Sequence, residues 1–208
     1  MEWNYEFDVV VVGSGNGALT AALCSHDGGA KTLVIEKSSQ FGGTSATSGG
    51  GVWIPNNRYA KAENVDDSDQ DARNYINSVS PEGMIKDELI ETYISEGPRM
   101  IDYLHENSQV KYRNLAHYPD YFPDNIGGKE GNRSIEPEPI FGTELGDDLG
   151  KLREQHPQTA FTMGPINMNF TQVEGQLLLG ALPGWKTQFA KLFTKYILDF
   201  AMRLKWGW

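Results

Sequence analysis

The chain has 208 residues, 39% of them hydrophobic and 22% charged, enough for a sizeable core in one or two domains. Its 18 Lys and Arg against 28 Asp and Glu give a formal net charge of −10, a surface that repels phosphate backbones and argues against nucleic acid as a partner. A lone cysteine, Cys24, excludes an intrachain disulfide, suits a reducing compartment and, set in an apolar stretch, reads as a small buried hydrophobe.

The opening residues MEWNYEFD carry no Lys or Arg, and the apolar run after them is short, so no secretory signal is expected. Nor is there a run of 18 apolar residues to span a membrane, and a cytoplasmic protein is expected. Residues 7–12 (FDVVVV) have the β-branched composition of a strand buried on both faces. Glycines 13–17 interrupt it, Ala18 to Cys24 reads as a small-residue helix, and the glycines of residues 26–30 end that helix. Thr32 to Ile35 is a second buried strand stopped by Glu36. The strand–helix–strand unit has the length of a βαβ crossover, about 30 residues.

Residues 37–51 form a loop of Gly, Ser and Thr. A helix with an acidic start is expected over 66–79, then helices over 84–96 and 98–106 broken at Gly97-Pro98. Residues 114–172 are rich in proline and glycine and show little periodicity, a pattern of functional or disordered segments. From Phe189 to Leu204, apolar residues recur at helical spacing. That stripe suits core packing first, and also a membrane surface or a hydrophobic substrate.

Gly13-Ser14-Gly15-Asn16-Gly17-Ala18 follows a strand and opens a helix, the context a dinucleotide fingerprint needs. Gly13 permits the tight turn, Gly15 lets backbone approach a pyrophosphate, and Ala18 keeps helix close to strand. The helix start then presents free N–H groups and a partial positive charge to the phosphates. Glu36 can accept hydrogen bonds from both ribose hydroxyls and would repel a 2′-phosphate. This fingerprint serves NAD and FAD alike. The loop Gly42-Gly43-Thr44-Ser45 through Ser48-Gly49-Gly50, ending in the apolar Val52-Trp53-Ile54-Pro55, favours FAD, because its many donors with little bulk can fold over a pyrophosphate and reach a flavin.

On these residues (VVVVGSGNGALTAAL, then LVIEKSSQFGGTSATSGGGVWIPNN) the chain resembles the 3-ketosteroid Δ1-dehydrogenases, within the fumarate reductase/succinate dehydrogenase flavoprotein group. The middle segment, Tyr118 to Pro123, Gly127-Gly128 and Gly131 to Pro137, resembles the family's DYYP…GG…GGRSIEP stretch. The resemblance implies an α/β fold: a Rossmann-like FAD-binding domain with an incomplete parallel sheet over 1–145, and the start of a mixed α+β substrate domain over 146–208. It implies FAD held by Gly13, Gly15, Gly17, Ala18, Glu36, Lys37, Gly42, Gly43, Thr44, Ser45, Ser48, Gly49 and Gly50, a steroid substrate, and an electron acceptor it does not specify. The implied reaction removes the C2 proton of ring A to a tyrosine and the C1 hydrogen as hydride to flavin N5, with hydrogen bonds to the C3 oxygen stabilising the enolate.

Two departures from the family stand out. Its active-site tyrosine in the middle segment aligns with Phe122, which lacks the hydroxyl, while Tyr121 lies one residue earlier. Family members are also much longer, and the residues that supply their main base and polarise the ketone come later in the chain. The expectation is therefore an amino-terminal fragment, inactive by itself. The alternatives are a fumarate reductase-like flavoprotein acting on another C–C bond, or a non-catalytic flavin-binding fragment.

No metal site is expected. Asp67, Asp69 and Asp71 imitate the start of a calcium loop, but Ala72 and Ser78 stand where Gly and Glu are needed, and acids at a helix start account for them. The histidines at 26, 105, 117 and 156 lack metal-ligand spacing.

Overall fold

A computed structural model describes residues 4–140, 142–154, 156, 161–163, 166–168 and 171–206. In chain order the elements are β1 (Val9–Val12), α1 (Asn16–Asp27), β2 (Thr32–Ile35), β3 (Val52–Trp53), α2 (Arg58–Ala62), α3 (Asp69–Val79), α4 (Asp87–Asn107), β4 (Tyr112–Asn114), β5 (Ser134–Pro137), β6 (Phe161–Met163), β7 (Ile166–Met168), α5 (Gln172–Leu179) and α6 (Trp185–Trp206). A 3₁₀ stretch over Gly142–Lys151 is kinked at Gly146, where φ is 52°. The residues group into two units: Met1–Gly50 with Pro139–Thr159, and Gly51–Glu138 with Ala160–Trp208. Neither unit is continuous in sequence.

In the first unit β1 and β2 pair in parallel, Val9 opposite Thr32 through Val12 opposite Ile35, with α1 as the crossover. Only Val11 of β1 is buried, while Val12 is 78% exposed and Val10, Val34 and Ile35 are also exposed. Burial of both strands on both faces is thus not found; the two-stranded ladder has cover on one side only and exposes apolar surface, as expected of an incomplete parallel sheet. For the same reason α1 buries none of its residues, and Cys24, expected in a core, is exposed. The helix ends as its glycines dictate: Gly28 N–H returns to the Cys24 carbonyl and Gly29 takes φ +85°.

The second unit is built on a three-stranded antiparallel sheet of order β3-β5-β4. Its central strand β5 lies in the stretch that showed no periodicity; four residues are too few to display one. Ile54, Ile101, Tyr112 and Ile135 form one buried cluster, and Ala72, Ile90 and Ile94 a second. Helix α4 supplies side chains to both, and it runs unbroken through Gly97-Pro98 where a break was expected. Pro98 removes one intrahelical hydrogen bond at a cost of about 3 kcal/mol. Burial of Ile90, Ile94, Ile101 and Leu104 along one face offsets that cost, at about 1.5–3 kcal/mol per large side chain. Gly97 also lets the helix approach Ile54, whose Cδ1 would lie 3.3 Å from an added Cβ.

Helix α5 starts on a capping box, Thr171 Oγ1 accepting from Glu174 N–H while the Glu174 carboxylate accepts from Thr171 N–H. The buried Glu136 of β5 accepts two further N–H groups of this terminus, Gln172 at 2.7 Å and Val173 at 3.1 Å. In α6, Leu192 is buried but Phe189, Phe193, Ile197 and Leu198 are exposed. The side chains of Tyr196, Phe200 and Leu204 lie outside the described residues.

Candidate cofactor site

The first unit contains a cleft of about 730 Å³, within the range of small-molecule and cofactor sites. Gly13, Gly15, Gly17 and Ala18 line one side, Glu36 and Lys37 follow from the end of β2, and Gly43, Thr44 and Ser45 close over it. Nine of the expected cofactor residues therefore share one cavity. Gly42 lies just behind its wall, buried, with φ +105° and its N–H donated to Ser14 Oγ at 2.9 Å. Ser48, Gly49 and Gly50 belong to the same unit but do not line the cleft; Ser48 Oγ donates to the Ser45 carbonyl and accepts from Gly50 N–H.

The cleft is shaped by missing side chains. Gly13 holds φ +98°, and a Cβ there or at Gly17 would meet nothing within 4 Å, so each glycine leaves open space. Gly43 passes so close to Gly15 that an added Cβ would stand 3.3 Å from its backbone. At the start of α1 four N–H groups lack intrahelical partners in principle. Asn16 N–H is taken by Ser45 Oγ at 3.0 Å and Leu19 N–H by the Gly15 carbonyl at 2.9 Å. Among the described residues no hydrogen bond uses the N–H of Gly17 or Ala18, and these two amides remain for an anion.

Ser14 was not singled out from the sequence, since it occupies a variable position of the glycine fingerprint. It is buried, and its hydroxyl donates to Glu36 Oε2 at 2.5 Å while accepting from Gly42 N–H. Ser14 thereby links the glycine turn, the acid after β2 and the second glycine loop. The hydroxyl, then the Ser38 N–H at 3.0 Å, hold the Glu36 carboxyl below its ordinary 4.5. An acid with a lowered pKa stays an acceptor above that value and loses the role as pH falls through it. Ser14→Ala is expected to raise the Glu36 pKa, so flavin affinity measured against pH should begin its acid fall at higher pH than in the unsubstituted chain. An unchanged acid limb would show that Glu36 is not tuned through Ser14.

The expected substrate-side residues lie in the second unit. Tyr121 is 86% exposed and Phe122 58% exposed, and the segment is fixed by its backbone: Phe122 N–H donates to the Tyr75 hydroxyl at 3.3 Å. Asp120 beside them is buried and accepts from Trp53 Nε1 at 2.7 Å, Arg133 Nη1 at 2.9 Å and Lys129 N–H at 3.0 Å. Arg133, 1% exposed, also grips Asp67 through Nη2 at 2.7 Å and Nε at 3.0 Å, and lies over the rings of Trp53 and Tyr75. Burial works against its charge, but the two carboxylates outweigh that and raise its pKa. The Asp67 carboxylate is thus the partner of a buried guanidinium, which corrects its reading as a helix-start acid. Asp71 pairs instead with Lys129 at 3.0 Å, and the α3 cap is Ser68.

A parallel βαβ unit whose glycine turn, helix start and terminal acid enclose a cleft defines a dinucleotide-binding protein. The sequence matches the FAD binding domain family over residues 8–186, and the chain belongs to that family. It is 38% identical over 168 residues to 3-oxosteroid 1-dehydrogenase of Mycolicibacterium smegmatis, covering 81% of this chain and 29% of that protein. It is also 38% identical over 157 residues to 4-oxocyclohexanecarboxylate 2-dehydrogenase of Sinomonas cyclohexanicum, covering 76% of this chain and 27% of that one. Among solved structures, the 3-ketosteroid Δ1-dehydrogenase from Sterolibacterium denitrificans in complex with 1,4-androstadiene-3,17-dione is 39% identical. It superposes with a TM-score of 0.84, covering 96% of this chain and 34% of that chain. The chain therefore spans about a third or less of the relatives it matches.

Proposed function

We propose that this chain forms the FAD-binding part of an oxidoreductase that introduces a C–C double bond beside a ring ketone, the C1–C2 bond of a 3-ketosteroid in the leading reading. The observation that carries it is the 39% identity and TM-score of 0.84 to a Δ1-dehydrogenase over 96% of this chain. The βαβ unit is the start of a Rossmann-like parallel sheet, and the glycine turns and Glu36 hold the cofactor. Bound FAD supplies the hydride acceptor. The amides of Gly17 and Ala18 face its pyrophosphate, and Glu36 accepts from the ribose hydroxyls and disfavours a 2′-phosphate. Phe122 offers the steroid an apolar ring and no proton, and the neighbouring Tyr121 is the phenol placed to stand in for the missing hydroxyl.

The second reading replaces the steroid by a monocyclic 4-oxo acid, favoured by the 38% identity to the Sinomonas enzyme. Both reactions desaturate a ring next to a ketone. The test uses the product of the whole reading frame, purified and loaded with FAD, with an artificial electron acceptor. Turnover of 4-androstene-3,17-dione to the 1,4-diene supports the steroid reading, turnover of 4-oxocyclohexanecarboxylate alone supports the second, and a protein inert to both refutes ring-ketone dehydrogenation.

A further inference from the structure

The cleft has a wall from an unexpected part of the chain. Residues 151–153, far from either glycine motif in sequence, run beside Phe41: Phe41 N–H donates to the Lys151 carbonyl at 2.9 Å, and Arg153 N–H donates to the Phe41 carbonyl at 2.9 Å. Phe41 and Leu152 form a parallel bridge, and Leu152 Cδ1 would lie 3.1 Å from a Cβ on Gly42. This pairing carries Arg153 onto the lining of the cleft, which the start of α1 also lines. Its side chain is exposed, and no hydrogen bond or ion pair of the guanidinium is found among the described residues.

We propose that Arg153 is a cofactor-binding residue that pairs with the pyrophosphate of FAD, an inference that rests on the FAD assignment of the cleft. A pyrophosphate brings two negative charges to a chain of formal net charge −10, and partial charge at one helix start is a weak counterweight. Arginine matches phosphate oxygens with a planar fork of donors, and here the fork is uncommitted and backbone-positioned. The segment around residue 152 thus acts as a strap that binds the second glycine loop and delivers a cation to the same ligand.

The test is FAD affinity by quenching of flavin fluorescence, over a range of ionic strength, for the product of the whole reading frame, unsubstituted and as Arg153→Ala and Arg153→Lys. Because the Arg153 side chain has no hydrogen bond or ion pair among the described residues and its backbone bond to Phe41 survives substitution, its variants should keep the circular dichroism and thermal midpoint of the parent. Arg153→Ala should weaken FAD by about 10–100-fold at low salt and flatten the dependence of Kd on salt. Arg153→Lys should keep the salt dependence at intermediate affinity. Equal affinities for parent and Arg153→Ala would overturn the proposal, and weaker binding with an unchanged salt slope would overturn the phosphate contact. No FAD binding by the unsubstituted protein would overturn the FAD assignment itself, and the proposal with it.

Discussion

Arg133→Ala should lower the unfolding free energy by roughly 3–5 kcal/mol, the usual effect of removing one partner from a buried ion pair. The substitution leaves the carboxylates of Asp67 and Asp120 in the interior without their guanidinium, at side-chain exposures of only 6% and 2%. A loss of that size is a large share of the 5–15 kcal/mol that typically stabilises a domain. Arg133→Lys should recover only part of it, because one ammonium cannot span Asp67 and Asp120 while stacking on Trp53 and Tyr75. Urea unfolding followed by tryptophan fluorescence reads both variants, with Trp53 as a reporter inside the network. A shift in midpoint worth less than 1 kcal/mol for Arg133→Ala would mean that the Arg133 network contributes little to stability.

Gly15→Val should abolish measurable FAD binding, roughly a 100-fold loss or more, while Gly15→Ala should retain most of it. The distinction comes from the space available. Gly15 has an ordinary backbone conformation, φ −73°, and an added Cβ would lie 3.4 Å from Ser45 Oγ, a contact that can be tolerated. The γ-methyls of valine have no such room: they must displace the Ser45 hydroxyl from Asn16 N–H or enter the cleft where the Gly43 backbone crosses. Flavin released on denaturation measures the outcome, and full flavin content in Gly15→Val would sink the assignment of this turn to the pyrophosphate.

Much of the candidate cofactor cleft, as a shape, was legible in the chain because it is made locally. A glycine turn between strand and helix, and an acid at the end of the next strand, are fixed by short-range sterics and by the period of β-branched residues. Helix α3 with its acidic start was readable on the same grounds, and the amphipathic stripe announced α6. What failed were inferences about surroundings. Cys24 and the valines of β1 and β2 have the composition of buried residues, yet burial depends on what covers a surface, and composition carries no record of that.

Tertiary structure decided the remainder, where contacts join residues too distant for any window to relate. Pro98 reads locally as a breaker, and only packing of isoleucines on both sides of it keeps α4 whole. Asp67 reads locally as a helix-start acid until Arg133, 66 residues on, is folded against it. Arg153 is one charge among many in sequence and a cleft residue only after its segment pairs with Phe41. The sequence by itself determined the turn, the acid and the class of ligand, because backbone conformation is local. Partners across the fold were decided by hydrogen bonding and burial, which act through space and do not depend on sequence separation.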